Sequence, residues 1–160
     1  MEALAALGDH PARPALVCAG RRGWMNAPIM QQVEKLGLRS RVRFLDYVPP
    51  EQLLTLYSKA RMLVLPSLYE GFGFTPLESM AAGTPVICSR AGSLPEVVGD
   101  AALTVPPADT TALAAAIRRM LAESDLRQKL VAAGLQRCHQ FPWQRAAEQT
   151  LAVLERAFQL

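Results

Sequence analysis

Two carboxylates and two glycines stand close together near the middle of this chain of 160 residues. Glu70 and Glu78 lie eight positions apart, and Gly71 and Gly73 lie between them. Glycine lets a backbone amide approach a ligand closely, and a helix that starts nearby directs free N–H groups and partial positive charge at the same point. This combination suits a phosphate or a cluster of sugar hydroxyls, with a carboxylate on either side.

The flanking residues indicate a strand, loop, helix, strand unit. The apolar run 62–65 predicts a buried strand, and a second apolar strand is expected at 85–88. Between them, Thr75 is expected to be the N-cap of a helix, with Pro76 at its first position. Ligands of parallel sheets bind at the carboxyl ends of strands, so chemistry is expected over 70–78.

At these positions the sequence resembles the retaining glycosyltransferases of family 4, which have the two-domain GT-B architecture. The E-x-F-G-x4-E signature of that family stands here as Glu70, Phe72, Gly73 and Glu78, and the segments SMAAGTPVI and SLPEVVGDAAL follow it. Carboxylate spacing, the Phe-Gly pair and the downstream segments agree in order, which makes the match specific. The resemblance spans residues 15–149, nearly the whole chain.

The resemblance implies a role for each motif residue. Glu70 would be catalytic and contact the transferred sugar, and Glu78 would hold the ribose hydroxyls. Backbone amides from Phe72 to Thr75 would bind sugar hydroxyls and the distal phosphate. The donor-binding residues that the resemblance implies are Gly71, Phe72, Gly73, Phe74, Thr75, Glu78, Tyr47 and Val48.

The motif residues also admit simpler interpretations. Thr75-x-x-Glu78 is a capping box, in which Glu78 would fold back onto the amide of Thr75. That side chain cannot fully do so while it chelates a ribose diol, and the complete signature favours the ligand role. Glu70 could be a solvated loop carboxylate, although loops between buried strands concentrate functional groups. The ring of Phe72 is expected to pack into the core, so that only its backbone serves the ligand.

A second loop at a strand end is a further candidate. The apolar run 42–45 predicts a strand, and Tyr47 and Val48 follow it. In the resembling family the backbone after this strand contacts the base, which makes both residues candidates for packing on the base. The alternative is that Val48 packs against the helix expected to begin at Pro50 or Glu51.

Arginines follow the first predicted strand, 15–19. Arg21 and Arg22 stand in a loop at its carboxyl end, where they could reach a phosphate. Two solvated arginines in a turn are the preferred interpretation, because they are not at the basic positions of the family and arginines are mostly exposed. A helix is expected to open at Asn26 or Pro28.

The remaining residues complete an alternating pattern. A strand is expected at 102–105, followed by a helix with Asp109 as N-cap and another with Ser124 or Asp125 as N-cap. The apolar residues at helical spacing in the last helix, 142–158, are Ala147, Leu151, Leu154 and Phe158. Strands that alternate with helices predict an α/β fold, a Rossmann-like parallel sheet with helices on both faces.

One domain over residues 1–160 is the predicted organisation, because the chain is long enough for one core. By resemblance this is the C-terminal, nucleotide-sugar-binding half of a GT-B enzyme. An N-terminal domain or subunit, the first strand of this domain and the basic residues that hold the donor diphosphate would then precede Met1. The terminal helix 142–158 would dock on the missing domain, and the isolated chain would be inactive.

The composition limits the classes of binding partner that are expected for the chain. The net charge of +3 comes without a long run of like charges, which argues against a nucleic-acid-binding arm. This charge suits a diphosphate or an anionic membrane surface, but an ordinary solvated face is the preferred interpretation. The three cysteines are far apart and no metal-ligand spacing is visible, so neither a disulfide framework nor a metal is expected. The chain is expected in the cytoplasm, with peripheral contact at the inner face of the membrane allowed.

The resemblance predicts the donor-binding domain of a retaining enzyme that transfers a hexosyl group to a glycan or lipid-linked acceptor. The segment YEGFGFTPLE is similar to the corresponding segment of mannosyltransferases. GDP-mannose is therefore the first expected donor and UDP-glucose the second. No cofactor is expected. A GT-B nucleotide-sugar epimerase is an alternative. A phosphorylase would need a lysine for pyridoxal phosphate, and no loop suggests one. A non-catalytic nucleotide-binding or interaction fragment is the alternative from another class.

Overall fold

The computed structural model describes residues 1–21 and 27–158, so the predictions made for Arg22 and Asn26 lie outside the described residues. The strands are β1 (Leu16–Ala19), β2 (Val42–Leu45), β3 (Leu63–Leu65), β4 (Val86–Ser89) and β5 (Ala102–Val105). The helices are α1 (Glu2–Ala5), α2 (Ala27–Lys35), α3 (Pro50–Lys59), α4 (Phe74–Ala81), α5 (Leu94–Val98), α6 (Thr110–Ala122), α7 (Ser124–Cys138) and α8 (Trp143–Phe158), and a short 3-10 turn, Gly99–Ala101, follows α5.

All strand pairs in the described part of the chain are parallel. One sheet contains β1 and β2, with Leu16 opposite Val42. The other has the order β3-β4-β5, with Val86 opposite both Leu63 and Ala102. The predicted α/β class with parallel strands and helices on both faces is confirmed, and the strands form two sheets. Every residue of β4 is buried, as a central strand covered on both faces requires.

The two faces of the three-stranded sheet build separate cores. On one face Ile87 packs with Ile117 and Met120 of α6, with α1, and with Val33 and Val42 from the region of the other sheet. The residues that share the core on the opposite face are Met80 of α4, Val86, Cys88, Leu94 and Val98 of α5, and Ala101. Burial of one such aliphatic side chain contributes about 1.5–3 kcal/mol, so these two cores hold the sheet edge in place.

The N-cap was predicted correctly for α6 and wrongly for α7. Asp109 precedes α6, and its carboxylate accepts a hydrogen bond from the amide of Ala112 at 2.8 Å, which confirms the predicted cap. The prediction that Ser124 or Asp125 caps α7 is wrong, because α7 begins at Ser124 itself and has no side-chain cap. The Ser124 hydroxyl lies 3.1 Å from a carboxylate oxygen of Asp125, so these two side chains pair with each other.

The last helix, α8, lies on the outside of the protein. None of its residues is buried, and Leu151, Leu154 and Phe158 are 56%, 49% and 88% exposed. The apolar face that the helical spacing predicted therefore meets no core in the described residues. No helix in the described part of the chain combines the length and apolarity needed to cross a membrane. The cytoplasmic location stays a prediction.

Helices α4 and α7 are packed closely at one point. A Cβ added to Gly134 of α7 would lie 2.9 Å from Cγ and 3.1 Å from Cβ of Met80, which is 1% exposed. These are the inner atoms of the methionine side chain, so rotation of its distal end does not relieve the contact. Glycine at this position is therefore required by space, although it lowers helix propensity.

We expect Gly134→Ala to lower the free energy of unfolding by up to about 2 kcal/mol, measured by urea denaturation. Helix propensity alone would raise it by about 1 kcal/mol, whereas overpacking costs about 1–3 kcal/mol. The control is Gly134→Ala in a Met80→Ala background, where the crowding is reduced and the substitution should be less harmful. Stabilisation by Gly134→Ala in the wild-type background would contradict the close packing.

Candidate functional site

The segment 66–73 between β3 and α4, called here the glycine loop, holds Glu70 in a defined position. The Ser67 hydroxyl donates to a carboxylate oxygen of Glu70 at 2.7 Å. Ser67 is itself held, because the hydroxyl of Ser89 at the end of β4 donates to the Ser67 carbonyl. Glu70 is half-buried. Its carboxylate is therefore oriented by the carboxyl end of the sheet, unlike a freely solvated loop side chain.

The turn that follows β4 holds the backbone of the glycine loop. Ser93 lies with its hydroxyl oxygen 3.0 Å from the carbonyl oxygen of Glu70 and 2.7 Å from that of Phe72, and its amide donates to the Glu70 carbonyl at 3.3 Å. A Cβ added to Gly92 would lie 2.6 Å from the Glu70 carbonyl oxygen. The turn can therefore approach this closely only with glycine at position 92.

The start of α4 differs from the prediction. The helix begins at Phe74, and Gly73 is the N-cap with a φ of 105°, so the predicted N-cap role of Thr75 is wrong. The capping-box interpretation of Glu78 is wrong for the same reason, since α4 has no side-chain cap. Pro76 is the third residue of the helix and not the first as predicted, but it still lies in the first turn, where its missing N–H loses no hydrogen bond. The amides of the first turn are left without a cap, at the positive end of the helix dipole.

Glu78 is exposed, and a neighbouring helix positions it. The Tyr57 hydroxyl of α3 donates to a carboxylate oxygen of Glu78 at 3.1 Å. The Thr84 hydroxyl donates to the Tyr57 carbonyl at 2.5 Å, which links α3 to the segment before β4. Burial raises the pKa of Tyr57 to about 12, with further contributions from the charge and the hydrogen bond of Glu78 and a smaller opposing hydrogen bond from Thr75.

Aromatic side chains at the end of the glycine loop and the start of α4 form a cluster with two rings at the start of α8 and just before it. Phe72 packs on Phe74 with ring centroids 4.7 Å apart and meets Phe141 edge to face at 5.8 Å. Phe74 stacks on Trp143 at 5.5 Å. We call these four residues the aromatic cluster. The prediction that the Phe72 ring packs into the core is wrong, because the ring is 38% exposed and its neighbours are these partly exposed aromatic rings.

The other predicted donor contacts lie at the end of β2. Tyr47 is 64% exposed and lies under the guanidinium of Arg21, which is 5.9 Å from the ring centroid. Val48 is half-buried just before α3, which begins at Pro50 as predicted. Among the described residues, no hydrogen bond or ring contact joins Tyr47 to the glycine loop. The packing of Tyr47 and Val48 on a base therefore stays a prediction.

A cavity of about 240 Å³ opens at the same edge of the sheet. Pro66, Ser89 and Val105, which mark the ends of the three paired strands, contribute to its lining. The Glu2 carboxylate at its rim already accepts hydrogen bonds from Gln32 at 3.0 Å and from Thr110 at 3.2 Å. This volume is below the roughly 300–1,000 Å³ usual for pockets of drug-sized ligands, and the lining includes neither Glu70 nor Glu78.

Sequence reasoning missed several residues that position the site: Tyr57, Ser67, Gly92 and Ser93. Gly92 and Ser93 belong to the AGSLPE segment, whose turn chemistry was visible although its contact with the loop was not. Nothing local in the sequence connects Tyr57 with Glu78. Within the described residues, no group of three or more His, Cys, Asp or Glu side chains is arranged to hold a metal ion.

Comparison with known proteins identifies the class to which this fold and site belong. Residues 1–137 match the family described as glycosyl transferases group 1, and the chain belongs to that family. It is 44% identical over 139 residues to O-antigen chain mannosyltransferase B from Escherichia coli, covering 87% of this chain and 36% of the relative. It is 40% identical over 136 residues to an MMP alpha-(1->4)-mannosyltransferase from Mycolicibacterium hassiacum, covering 82% and 33%. The chain thus spans about a third of the length of these relatives.

Solved structures confirm the predicted GT-B class of the fold. Sucrose-phosphate synthase from Thermosynechococcus elongatus matches with a TM-score of 0.86 at 34% identity, covering 98% of this chain and 42% of that one. Anabaena HepE, solved in complex with UDP and glucose, matches with a TM-score of 0.87 at 22% identity, covering 97% and 44%. The second similarity concerns the fold alone.

The raised pKa of Tyr57 predicts a pH dependence. Between the ordinary value of 10.0 and about 12, the unfolded chain loses the Tyr57 proton while the folded chain keeps it. The free energy of unfolding should therefore fall as the pH rises through this window. In Tyr57→Phe, the decrease in the free energy of unfolding that comes from Tyr57 should be absent, as measured by urea denaturation at several alkaline pH values.

The matched control for this experiment is Tyr69→Phe, since Tyr69 is 78% exposed. That variant should keep the wild-type pH dependence. An ultraviolet titration should likewise lose its step at about pH 12 in Tyr57→Phe and keep that step in Tyr69→Phe. If Tyr57→Phe and wild type lose stability equally over the alkaline range, the pKa of Tyr57 is not raised in the folded protein, and its side chain is not buried beside Glu78 in solution.

Proposed function

We propose that this chain is the donor-binding domain of a retaining glycosyltransferase that transfers a hexosyl group from a nucleoside-diphosphate sugar to an acceptor hydroxyl. The observation that carries the proposal is the glycine loop. Its carbonyls at Glu70 and Phe72 are held by Ser93, its amides precede the uncapped start of α4, and Glu70 and Glu78 are each held by a hydroxyl.

The chemistry of glycosyl transfer fits this arrangement. The transition state separates a departing diphosphate from a sugar with developing positive charge. Preorganised amides and the positive end of a helix stabilise the departing diphosphate, and a nearby carboxylate stabilises the positive charge that develops on the sugar. In the proposal the amides from Phe72 to Thr75 bind the phosphate and sugar hydroxyls, and Glu70 orients the sugar. Because fixed dipoles provide the stabilisation, the proposal includes no metal ion.

Glu78 is proposed to bind the ribose. Its carboxylate keeps one fixed hydrogen bond from Tyr57 and remains exposed, so the rest of its acceptor capacity is available to a diol. Tyr47 and Val48 are proposed to pack on the base. The names of the two relatives described above support a mannosyl donor, and the uncapped start of α4 suits the diphosphate of a nucleotide carrier. GDP-mannose is therefore the leading donor, followed by UDP-glucose.

Calorimetric titration of the chain with GDP, GDP-mannose, UDP and UDP-glucose tests this assignment. We expect Glu78→Ala to weaken the binding of both the free nucleotide and the nucleotide sugar about tenfold to a hundredfold, because charge-assisted hydrogen bonds are worth about 1.5–3 kcal/mol each. Glu70→Gln should weaken binding of the nucleotide sugar and leave affinity for the free nucleotide unchanged, because its proposed contact is with the sugar.

The control is Glu148→Ala, which removes another exposed carboxylate, on α8, and should bind like wild type. Wild-type chain that binds none of the four compounds would refute the proposed function. If Glu70→Gln lowered the affinity for free nucleotide as much as for the nucleotide sugar, the role of Glu70 would be to maintain the loop rather than to contact the sugar.

We also propose that the exposed apolar face of α8 packs against a further domain or subunit that carries the acceptor site. Leu151, Leu154 and Phe158 lie at helical spacing on α8, and none of them is buried. Stripes of this kind usually mark an interaction surface.

The isolated chain should therefore self-associate at high concentration, as measured by sedimentation velocity. Leu151→Glu combined with Leu154→Glu should make it monomeric, because charge on the stripe removes the apolar contact. The control, Gln144→Glu on the same helix, should associate like wild type. Wild-type chain that stays monomeric at high concentration would contradict this use of the α8 face.

A further inference from the structure

We propose that Ser93 is a positioning residue of the donor site: it holds two peptide groups of the glycine loop so that the amides of Gly71 and Gly73 face the donor. The inference rests on the proposed function, because it concerns the same site. Ser93 lies outside the sequence motif that defines the loop and belongs to the turn after the neighbouring strand, β4.

The hydrogen bonds of Ser93 reach both peptide groups. Its hydroxyl oxygen is 2.7 Å from the Phe72 carbonyl oxygen and 3.0 Å from the Glu70 carbonyl oxygen. A hydroxyl has a single hydrogen, so the two carbonyls share it, while the Ser93 amide donates to the Glu70 carbonyl as well. Two alternate peptide groups of the loop are thus turned toward one side chain.

The geometry of the peptide group then sets the direction of the amides. In a trans peptide, the C=O of one residue and the N–H of the next point in opposite directions, and the described chain has no cis peptide bond. The carbonyls of Glu70 and Phe72 face Ser93, so the N–H groups of Gly71 and Gly73 point away from it. Among the described residues, neither amide has a hydrogen-bond acceptor.

Because the loop contains glycines, the orientation of its peptide groups has to be held by a partner such as Ser93. A peptide flip between Phe72 and Gly73, or between Glu70 and Gly71, changes φ at a glycine, which tolerates both conformations. The flipped loop would present carbonyl oxygens, with their partial negative charge, to the oxygens of a phosphate. Because backbone sterics do not prevent the flip, the hydrogen bonds from Ser93 select the orientation that presents donors.

The contact between the two segments leaves little freedom for this arrangement. Gly92 approaches the Glu70 backbone so closely that a Cβ there would lie 2.6 Å from its carbonyl oxygen and 3.0 Å from its nitrogen. On the other side, a Cβ at Gly73 would lie 3.0 Å from Cδ2 of Leu94, the residue after Ser93. The turn is therefore in direct contact with both ends of the Glu70–Gly73 segment.

The test uses chain labelled with ¹⁵N-glycine. Residual dipolar couplings of the Gly71 and Gly73 N–H bonds report their orientation without ligand, and calorimetry with GDP and GDP-mannose reports affinity. We expect Ser93→Ala to change both couplings and to weaken binding about threefold to tenfold, as the loss of one neutral hydrogen bond predicts. Ser93→Thr, which keeps the hydroxyl, should restore both readouts.

The matched control is Ser58→Ala, which removes a serine hydroxyl that donates to the carbonyl of Thr55 at 3.0 Å on α3, and it should behave like wild type. Should Ser93→Ala fail to fold, Ser93→Cys, whose thiol is a weak donor, carries the same expectation. Wild-type couplings and affinity in these variants would overturn the role of Ser93 and leave the proposed function intact. A wild-type chain that binds neither compound would overturn the proposed function and this inference together.

Discussion

The site depends on the parallel pairing of β3 and β4, which brings the segments that follow the two strands together. Leu65 lies opposite Cys88, so the chain leaves both strands at the same edge. There the Ser89 hydroxyl bonds to the Ser67 carbonyl, and Ser93 bonds to the loop that carries Glu70. A loop rich in glycine has little order of its own, because glycine loses the most conformational entropy on folding. The turn after β4 provides the order that the loop lacks.

The carboxylates are held by different parts of the protein. Glu70 receives its hydrogen bond from Ser67 within the same loop, whereas Glu78 receives one from Tyr57 on α3. Motion of α3 relative to α4 would therefore affect Glu78 while Glu70 stayed in place. The aromatic cluster adds a third support, since Phe72 and Phe74 contact Phe141 and Trp143, and such ring pairs contribute about 0.5–1.5 kcal/mol each. The loop is thus linked to the segment that leads into α8.

Local patterns predicted much of this architecture. The strands 42–45 and 102–105 agree with β2 and β5, and the cap at Asp109 is confirmed. These features are encoded by neighbours in sequence: apolar runs bounded by turn residues, and an acceptor side chain close to free amides. The order of glycines and carboxylates between a strand and a helix also resembled the family to which the chain belongs. The roles of the individual site residues remain proposals.

The sequence by itself determined the fold class and where in the chain the glycine loop would fall, because strand, loop and helix are specified by residues a few positions apart. Only the tertiary structure decided that Gly73 rather than Thr75 lies at the N-cap position of α4, that the Phe72 ring packs in an aromatic cluster rather than in the core, and that Tyr57 and Ser93 hold the site. Each of these features depends on a partner some 20 or more residues away or on competition between neighbouring residues for the same structural position. Such contacts are selected by the packing of α3, α4 and the end of β4 around one sheet edge, and no local pattern encodes that packing.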